Sequence, residues 1–168
     1  MWYVIWVATH SEHELLNRIE KDLDKKMYRS VWLPTKTEKR KYKGEWTEVE
    51  RILFPGYMFI DTEDVEDTYM SLKSFPDFLG VLKNGDAFVP ITQKEEGILR
   101  KLTGEDGKVG MSVGYLDADG KVKILSGDLK EMEKYIVSVD KHKRKAKLEM
   151  ELFGEVRTFT VGLELVNG

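Results

Sequence analysis

The chain has 168 residues, of which 41% are hydrophobic and 34% charged, and its formal net charge is −3. This length allows one medium domain or two small ones, and the composition is typical of globular proteins and excludes disordered chains. A net-acidic chain can contact nucleic acid only through local basic patches. The absence of cysteine excludes disulfides, thiol catalysis and cysteine zinc sites, and it suits the cytoplasm.

The first half of the chain combines strand and helix patterns. Residues 1–7 are apolar but too few for a signal peptide or a membrane span, so they predict a buried strand. Ser11 and Glu14 have the spacing of a capping box at a helix start. The apolar face of that helix consists of Leu15, Leu16, Ile19 and Leu23. A second strand is predicted over 28–33, and the polar segment 36–51 predicts a long, exposed hairpin.

The pattern continues with a central strand over 56–61 and a helix over 62–75. Asn84-Gly85 predicts a hairpin between short strands at 78–82 and 87–89. Thr92 and Glu95 form a second capping box, which opens a helix that extends to Leu102. Helices that pack on an antiparallel sheet make an α+β domain, which we place at residues 1–103.

Residues 104–109 are polar and rich in glycine, and they predict a linker. Beyond them no helical period remains. Short strands are predicted at 122–125, 135–139, 146–152 and 156–161, with glycine turns between them. Short strands at this density are typical of a small barrel that closes its own edges, which we place at residues 110–168.

The segment from Leu53 to Ile60 has the most distinctive chemistry, because Pro55-Gly56 turns the chain into an aromatic-rich strand. The alternation of side chains along a strand cannot bury both Phe54 and Tyr57, and large aromatic side chains near a surface anchor protein interfaces. The alternative is a core strand with a kink at its entry.

This segment resembles the N-terminal domain of NusG-family transcription factors. The resemblance extends to Trp2-Tyr3-Val4, Leu33-Pro34, residues 78–81 and residues 89–91, and Lys123-Ile124-Leu125-Ser126-Gly127 resembles the start of a KOW motif. It implies a NusG N-terminal domain followed by an SH3-like barrel. It also implies that the N-terminal domain docks on a helical coiled coil of the RNA polymerase clamp. This docking would suppress pausing. The residues that match this docking patch are Phe54, Pro55, Gly56, Tyr57, Trp2 and Tyr3.

Two basic clusters lie between predicted strands, at residues 36–43 and 140–147, and each has five basic residues and one acid. The candidate contacts are Lys36, Lys39, Arg40, Lys41 and Lys43 in the first cluster, and Lys141, His142, Lys143, Arg144, Lys145 and Lys147 in the second. Arginine and lysine bind phosphates, while Tyr42 and His142 offer flat faces to unpaired bases, so we predict RNA contact. The first cluster could instead face non-template DNA or polymerase. Solvated loop tips are the alternative for both.

The segment 139–146, with residues 152–154 and 162–164, also resembles the LoaP group of specialised NusG paralogues. That group is associated with antitermination in long biosynthetic operons and recognises an RNA hairpin in the leader. The general factor carries proline at Asp128, glycine at Glu131 and Lys134, and glycine at Glu12. The fold is expected to tolerate the three barrel departures, because they lie at a turn and a strand edge.

We therefore predict a monomeric, cytoplasmic antitermination factor that partners RNA polymerase and a nascent RNA hairpin, without membrane, cofactor, metal or catalytic site. The alternatives are a general NusG elongation factor that needs no RNA signal and a ribosome-associated KOW protein that binds RNA. An enzyme is a residual alternative. His10 and His13 have no third ligand nearby, and the S-x-x-K pattern from Ser138 to Lys141 lies in a β-branched run rather than a helix.

Overall fold

The computed structural model describes residues 1–104 and 106–166. The chain divides into a first unit of Met1–Leu33 and Phe54–Glu96 and a second unit of Pro34–Leu53 and Gly97–Gly168. The predicted domains, 1–103 and 110–168, follow the chain without this exchange and stay a prediction. Position 105 of the predicted linker and the last two residues of the predicted barrel lie outside the described residues.

Fourteen strands, three α-helices and one short 3₁₀-helix (Glu133–Tyr135) are assigned in the described residues. The strands are β1 (Trp2–Val7), β2 (Ser30–Trp32), β3 (Thr35–Tyr42), β4 (Glu45–Ile52), β5 (Tyr57–Asp61), β6 (Phe78–Val81), β7 (Lys83–Asn84), β8 (Ala87–Phe88), β9 (Lys108–Val109), β10 (Ser112–Leu116), β11 (Val122–Ser126), β12 (Ile136–Asp140), β13 (Lys145–Leu152) and β14 (Glu155–Leu165). The helices are α1 (Glu12–Asp22), α2 (Val65–Leu72) and α3 (Gln93–Thr103).

The first unit is built on an antiparallel sheet in the order β2-β5-β1-β6. The predicted central strand is confirmed, since β5 lies between β2 and β1. Val4, Ile5, Met58 and Ile60 on the two inner strands are fully buried. This apolar centre explains why the segments around residues 4 and 59 read as nearly continuous hydrophobic runs.

The two predicted capping boxes have different outcomes. Thr92 and Glu95 exchange hydrogen bonds: the Thr92 N–H donates to Glu95 Oε1 at 2.8 Å, and the Glu95 N–H donates to Thr92 Oγ1 at 3.1 Å. Among the described residues, Ser11 makes no side-chain capping bond, so the capping box at Ser11 and Glu14 is wrong. The helix there forms nevertheless, with Leu15 and Ile19 fully buried.

The second unit contains a curled five-stranded sheet in the order β11-β10-β14-β13-β12, which confirms the predicted small barrel. Along β13 the residues alternate between buried and exposed, as a half-buried strand requires. Its turn into β14 places Phe153 and Gly154 at φ of 57° and 80°. Strand β10 was not predicted from the sequence, because Gly114 interrupts the run of residues typical of strands. That glycine is required, since a Cβ there would lie 2.5 Å from the carbonyl oxygen of Lys123.

The long hairpin predicted at residues 36–51 is also confirmed, and it belongs to the second unit. Strands β3 and β4 pair from Thr35↔Ile52 to Tyr42↔Glu45 around Lys43 and Gly44, and the short β9 pairs in parallel with β3. The hairpin is not exposed along its whole length, because Lys36 and Glu38 are buried. In the described residues, no helix is both long and apolar enough to span a membrane.

Candidate functional site

Residues 54–57, which we call the aromatic turn, have a backbone that is fixed on both sides. The Tyr57 N–H donates to the Phe54 carbonyl at 3.0 Å, and Gly56 adopts a left-handed φ of 87°. The Gly56 carbonyl accepts from the Val7 N–H at 2.9 Å. On the other side, the Gly56 N–H donates to Glu12 Oε2 at 2.9 Å. Glu12 is only 2% exposed, so this contact is a charge-assisted hydrogen bond with little competition from water.

The two aromatic side chains of the turn have different environments. Phe54 is 6% exposed and lies edge-on to Phe59, with ring centroids 6.5 Å apart. Tyr57 is half-buried, so the two are not both buried, as the alternation predicted. It follows that Phe54 supports the turn from within, whereas Tyr57 keeps part of its side chain at the surface.

The sheet places a second aromatic side chain beside Tyr57. Trp6 pairs with Tyr57 on one side and with Gly80 on the other, and residues paired across antiparallel strands project from the same face. Trp6 is 42% exposed, and a Cβ on Gly80 would lie 3.8 Å from its ring. The sequence reasoning missed Trp6, although its spacing of two and four residues from Val4 and Trp2 signals a shared face.

Trp2 and Tyr3, the other two aromatic residues of the predicted docking patch, lie on opposite faces of the sheet. Trp2 is half-buried on the same face as Trp6, with its ring centroid 6.1 Å from that of Trp32. Tyr3 projects from the opposite face and is buried, and burial, with a smaller contribution from the charge of Glu63, raises the pKa of its hydroxyl. Tyr3 is therefore a core residue in this structure.

The second unit brings the two predicted basic clusters together in one surface pocket of about 210 Å³, which we call the basic pocket. Its lining consists of Lys39, Arg40, Lys41, Trp46, Arg51, Lys143 and Lys145. Trp46 and Arg51 were missed by the sequence reasoning. The pairing of Lys41 with Trp46 across the hairpin is the signal that could have found Trp46.

The ring of Trp46 makes a cation–π contact with an arginine. The Arg144 guanidinium lies 4.3 Å from the centroid of the indole, and Lys41 Nζ lies 6.0 Å from it. Arg144 has a left-handed φ of 58°, and its Nη1 lies 3.3 Å from Glu164 Oε1. Lys39 Nζ lies 3.6 Å from the other oxygen of the same carboxylate. Glu164 therefore ties an arginine of the second cluster to a lysine of the first.

A buried carboxylate organises the inner side of this surface. Glu38 is 2% exposed and lies within ion-pair distance of Lys36 at 3.3 Å, Lys145 at 3.2 Å and Arg51 at 3.9 Å. The Thr160 hydroxyl also lies 3.3 Å from it. Because the charge of Glu38 is surrounded by cations from three strands, it holds Lys145 and Arg51 in place.

Lys36 differs from the other predicted RNA contacts. It is 8% exposed, and its ammonium donates to the Thr160 carbonyl at 2.7 Å. Burial lowers the pKa of Lys36, and the negative charge of Glu38 opposes that shift. An ammonium enclosed in this way supports the hairpin and does not face a ligand.

The remaining predicted contacts are exposed but do not line the basic pocket: Lys43, Lys141, His142 and Lys147. The loop that carries Lys141 and His142 is shaped by Asp140, whose Oδ1 accepts from the Lys143 N–H at 2.9 Å. Across the part of the chain that the structure describes, no group of three or more His, Asp or Glu side chains is arranged to hold a metal ion.

Residues 1–100 match the family model described as transcription termination factor nusG. The chain belongs to the NusG family. The transcription termination/antitermination protein NusG of Halalkalibacterium halodurans is 25% identical over 163 residues, which covers 91% of this chain and 89% of that protein. The protein of the same name from Borreliella burgdorferi is 28% identical over an alignment of 171 residues, with 91% and 90% covered.

A solved structure of the family has the same fold. The Thermotoga maritima NusG structure, titled for its domain interaction, has a TM-score of 0.60 and 20% identity, and the match covers 97% of this chain and 92% of that one. The barrel departures differ in their local geometry, and their expected tolerance stays a prediction. Asp128 accepts from the Gly110 N–H at 2.7 Å, and Glu131 has a left-handed φ of 67°, a conformation that glycine adopts most easily.

Proposed function

We propose that this NusG-family protein is a transcription elongation and antitermination factor that docks on RNA polymerase through the aromatic turn and contacts nascent RNA through the basic pocket. The observation that carries the proposal is the family's Phe-Pro-Gly-Tyr segment, held here as a preformed turn with Tyr57 beside Trp6. The curated relatives are named for termination and antitermination, which supports the same activity.

Docking through the aromatic turn needs little rearrangement. The backbone of the turn is fixed by hydrogen bonds to Val7 and Glu12, so little conformational entropy is lost when a partner binds. Tyrosine and tryptophan are the side chains that most often dominate the binding energy of protein interfaces. The partner we propose is the helical coiled coil of the polymerase clamp, which a bound factor would keep from opening.

The RNA contact would work as a tether. A leader hairpin bound at the basic pocket raises the local concentration of the protein beside the polymerase, and the clamp contact then holds. We propose that the protein belongs to the specialised LoaP group, on the strength of residues 139–146 and the cation-rich surface that they help to form. The target would be a leader hairpin of a long biosynthetic operon.

The decisive experiment compares transcription on templates with and without the native leader. The specialised function predicts read-through of a downstream terminator only when the leader is present. Equal read-through on both templates would favour a general elongation factor, which the curated NusG relatives make the second candidate.

A second experiment tests docking. Tyr57→Ala should weaken binding to purified polymerase by about 2 kcal/mol, or roughly 30-fold, as expected for an interface anchor. The matched control is Met70→Ala, which removes an exposed apolar side chain from α2. If the two variants bind polymerase equally well, the aromatic turn is not the docking site.

A further inference from the structure

Trp46 is the one flat apolar side chain in the described lining of the basic pocket. It is half-exposed on β4, and the Arg144 guanidinium lies over it at 4.3 Å, well within the distance of a cation–π contact. A guanidinium is itself planar, so Arg144 adds a second planar group beside the indole. Nucleobases stack on aromatic rings and on guanidinium planes alike.

The cations of the pocket fall into two groups. Lys39, Arg51 and Lys145 form ion pairs with Glu164 or Glu38, and these pairs fix the walls. Within the described residues, Arg40, Lys41 and Lys143 form no ion pair, although all three are exposed at the same pocket. Because all three carry a positive charge and line one pocket, the arrangement favours an anion bound there.

The size of the pocket restricts what enters it. Its volume of about 210 Å³ is below the roughly 300–1,000 Å³ of pockets that take drug-sized ligands. It therefore has room for a single planar ring, and the phosphates attached to that ring would lie at the exposed cations of the lining. A base inside a duplex is stacked and paired and cannot reach such a pocket, whereas an unpaired base can be turned out into it.

We infer that the basic pocket binds one unpaired nucleotide of a nucleic-acid strand, with its base on the Trp46–Arg144 stack and its phosphates at Arg40, Lys41 and Lys143. The inference rests on the proposed function and deepens it, because it names the part of the RNA that is recognised. The site is composite: the indole comes from the hairpin and the guanidinium from the loop before β13. A loop or bulge in nascent RNA and the displaced DNA strand could both supply such a nucleotide.

Three labelled probes of equal length test this with the full chain at fixed salt: oligoadenylate RNA, oligodeoxyadenylate and a blunt RNA duplex. Trp46→Ala should weaken binding of the single strands about tenfold, the effect of losing one base stack, and should leave duplex binding nearly unchanged. Trp46→Phe keeps a ring and should retain most of the affinity. The single strand that binds more tightly identifies the source, RNA or displaced DNA.

Arg144→Lys is the sharpest variant, because it keeps the charge and removes the plane. The stack predicts a loss on single strands, whereas a purely electrostatic contact predicts none. Lys123→Ala, which removes an exposed cation from β11, is the matched control and should affect all three probes weakly and alike. Thermal melting of each variant confirms that it folds, and Arg144→Lys alone decides the question if Trp46→Ala does not fold.

The inference is overturned if Trp46→Ala and Arg144→Lys bind single strands normally, or if they lose duplex and single-strand binding equally. Its failure is distinguishable from that of the proposed function. Leader-dependent read-through with normal single-strand binding by both variants would sink the inference alone. A wild-type protein that binds oligoadenylate as expected but gives no read-through would sink the proposed function and leave the pocket standing.

Discussion

The aromatic turn of the first unit and the basic pocket of the second are organised by opposite means. In the turn, hydrogen bonds fix the backbone, Phe54 packs beneath it, and the buried carboxylate of Glu12 accepts from the Gly56 N–H. In the pocket, six cations lie around Trp46, and the carboxylates of Glu38 and Glu164 hold several of them there.

This difference indicates what each site can recognise. A rigid, largely uncharged aromatic surface suits a protein partner, and its affinity should depend weakly on salt. A pocket of cations suits a polyanion, and its affinity should fall steeply with salt because binding releases counterions. A substitution at the aromatic turn should therefore weaken polymerase binding without changing RNA binding, and a substitution at the basic pocket should do the reverse.

The largest effect is expected at Phe54. Phe54→Ala should lower the free energy of unfolding by about 3–5 kcal/mol, because it removes a buried ring and leaves a cavity against Phe59. Urea denaturation followed by circular dichroism measures this. Tyr42→Ala, which removes an exposed aromatic ring from the hairpin, should change the same quantity by less than about 0.5 kcal/mol. Equal effects of the two changes would show that Phe54 is not a core support.

The next effect is expected at Glu12, which is buried and accepts the hydrogen bond from the Gly56 N–H. Glu12→Ala leaves a part-buried backbone N–H without its acceptor and should cost about 1–3 kcal/mol of stability. Polymerase binding should weaken with it, since the turn loses one of its two anchors. Glu12→Gln keeps an acceptor and should restore most of both. The control is Glu14→Ala, an exposed acid on the same helix turn. If Glu14→Ala is as harmful, the hydrogen bond to Gly56 is not the reason.

Glu12 also shows where sequence reasoning about the fold ends. The same Ser/Thr-x-x-Glu pattern predicts a capping box at Thr92, where it forms, and at Ser11, where it does not. The pattern is local, whereas the acid at position 12 bonds to Gly56, 44 residues further along the chain. Strand alternation, glycine turns and helical periods are local as well, which is why the α+β unit and the barrel could be predicted and this contact could not.

The basic pocket was predicted in its parts but not as a whole. Both clusters are visible in the sequence, yet their meeting depends on how the hairpin packs on β14, a tertiary contact that no local pattern encodes. Packing on one side of the hairpin also explains why Lys36 is buried while Lys41 is exposed. Glu38, the lone acid among the cations of the first cluster, is the feature of the sequence that hints at a buried partner for them.

A smaller effect is expected in the salt dependence of RNA binding. If roughly four to six phosphates are engaged, the slope of log affinity against log salt should be about −3 to −5. Changing Lys41 and Lys143 together to glutamate should flatten it by about 1.5, since each lost phosphate contact accounts for about 0.7–0.9. Lys121→Glu with Lys123→Glu makes the same change of net charge on exposed lysines outside the basic pocket and should flatten the slope less. Identical slopes in both double variants would mean that net charge alone drives binding.

The smallest effect is the change in stability at alkaline pH, which should have opposite signs for one residue of each unit. Tyr3, in the first unit, has a raised pKa, so above its ordinary value of 10.0 the unfolded chain loses the proton first, and stability falls as pH rises. Lys36, in the second unit, has a lowered pKa. Between that lowered value and its ordinary 10.5 the unfolded chain holds the extra proton, so stability rises with pH.

Two variants isolate these opposite contributions. Tyr3→Phe removes the tyrosine hydroxyl, and Lys36→Met removes the buried ammonium while Glu38 keeps Lys145 and Arg51 as partners. The free energy of unfolding of the wild type minus that of each variant should be followed by urea denaturation from neutral pH to about pH 11. We expect this difference to fall with pH for Tyr3→Phe above 10.0 and to rise for Lys36→Met up to 10.5. Because every other titrating group cancels in the subtraction, two curves of the same sign, or two flat ones, would refute the contrast between a buried phenol and a buried ammonium.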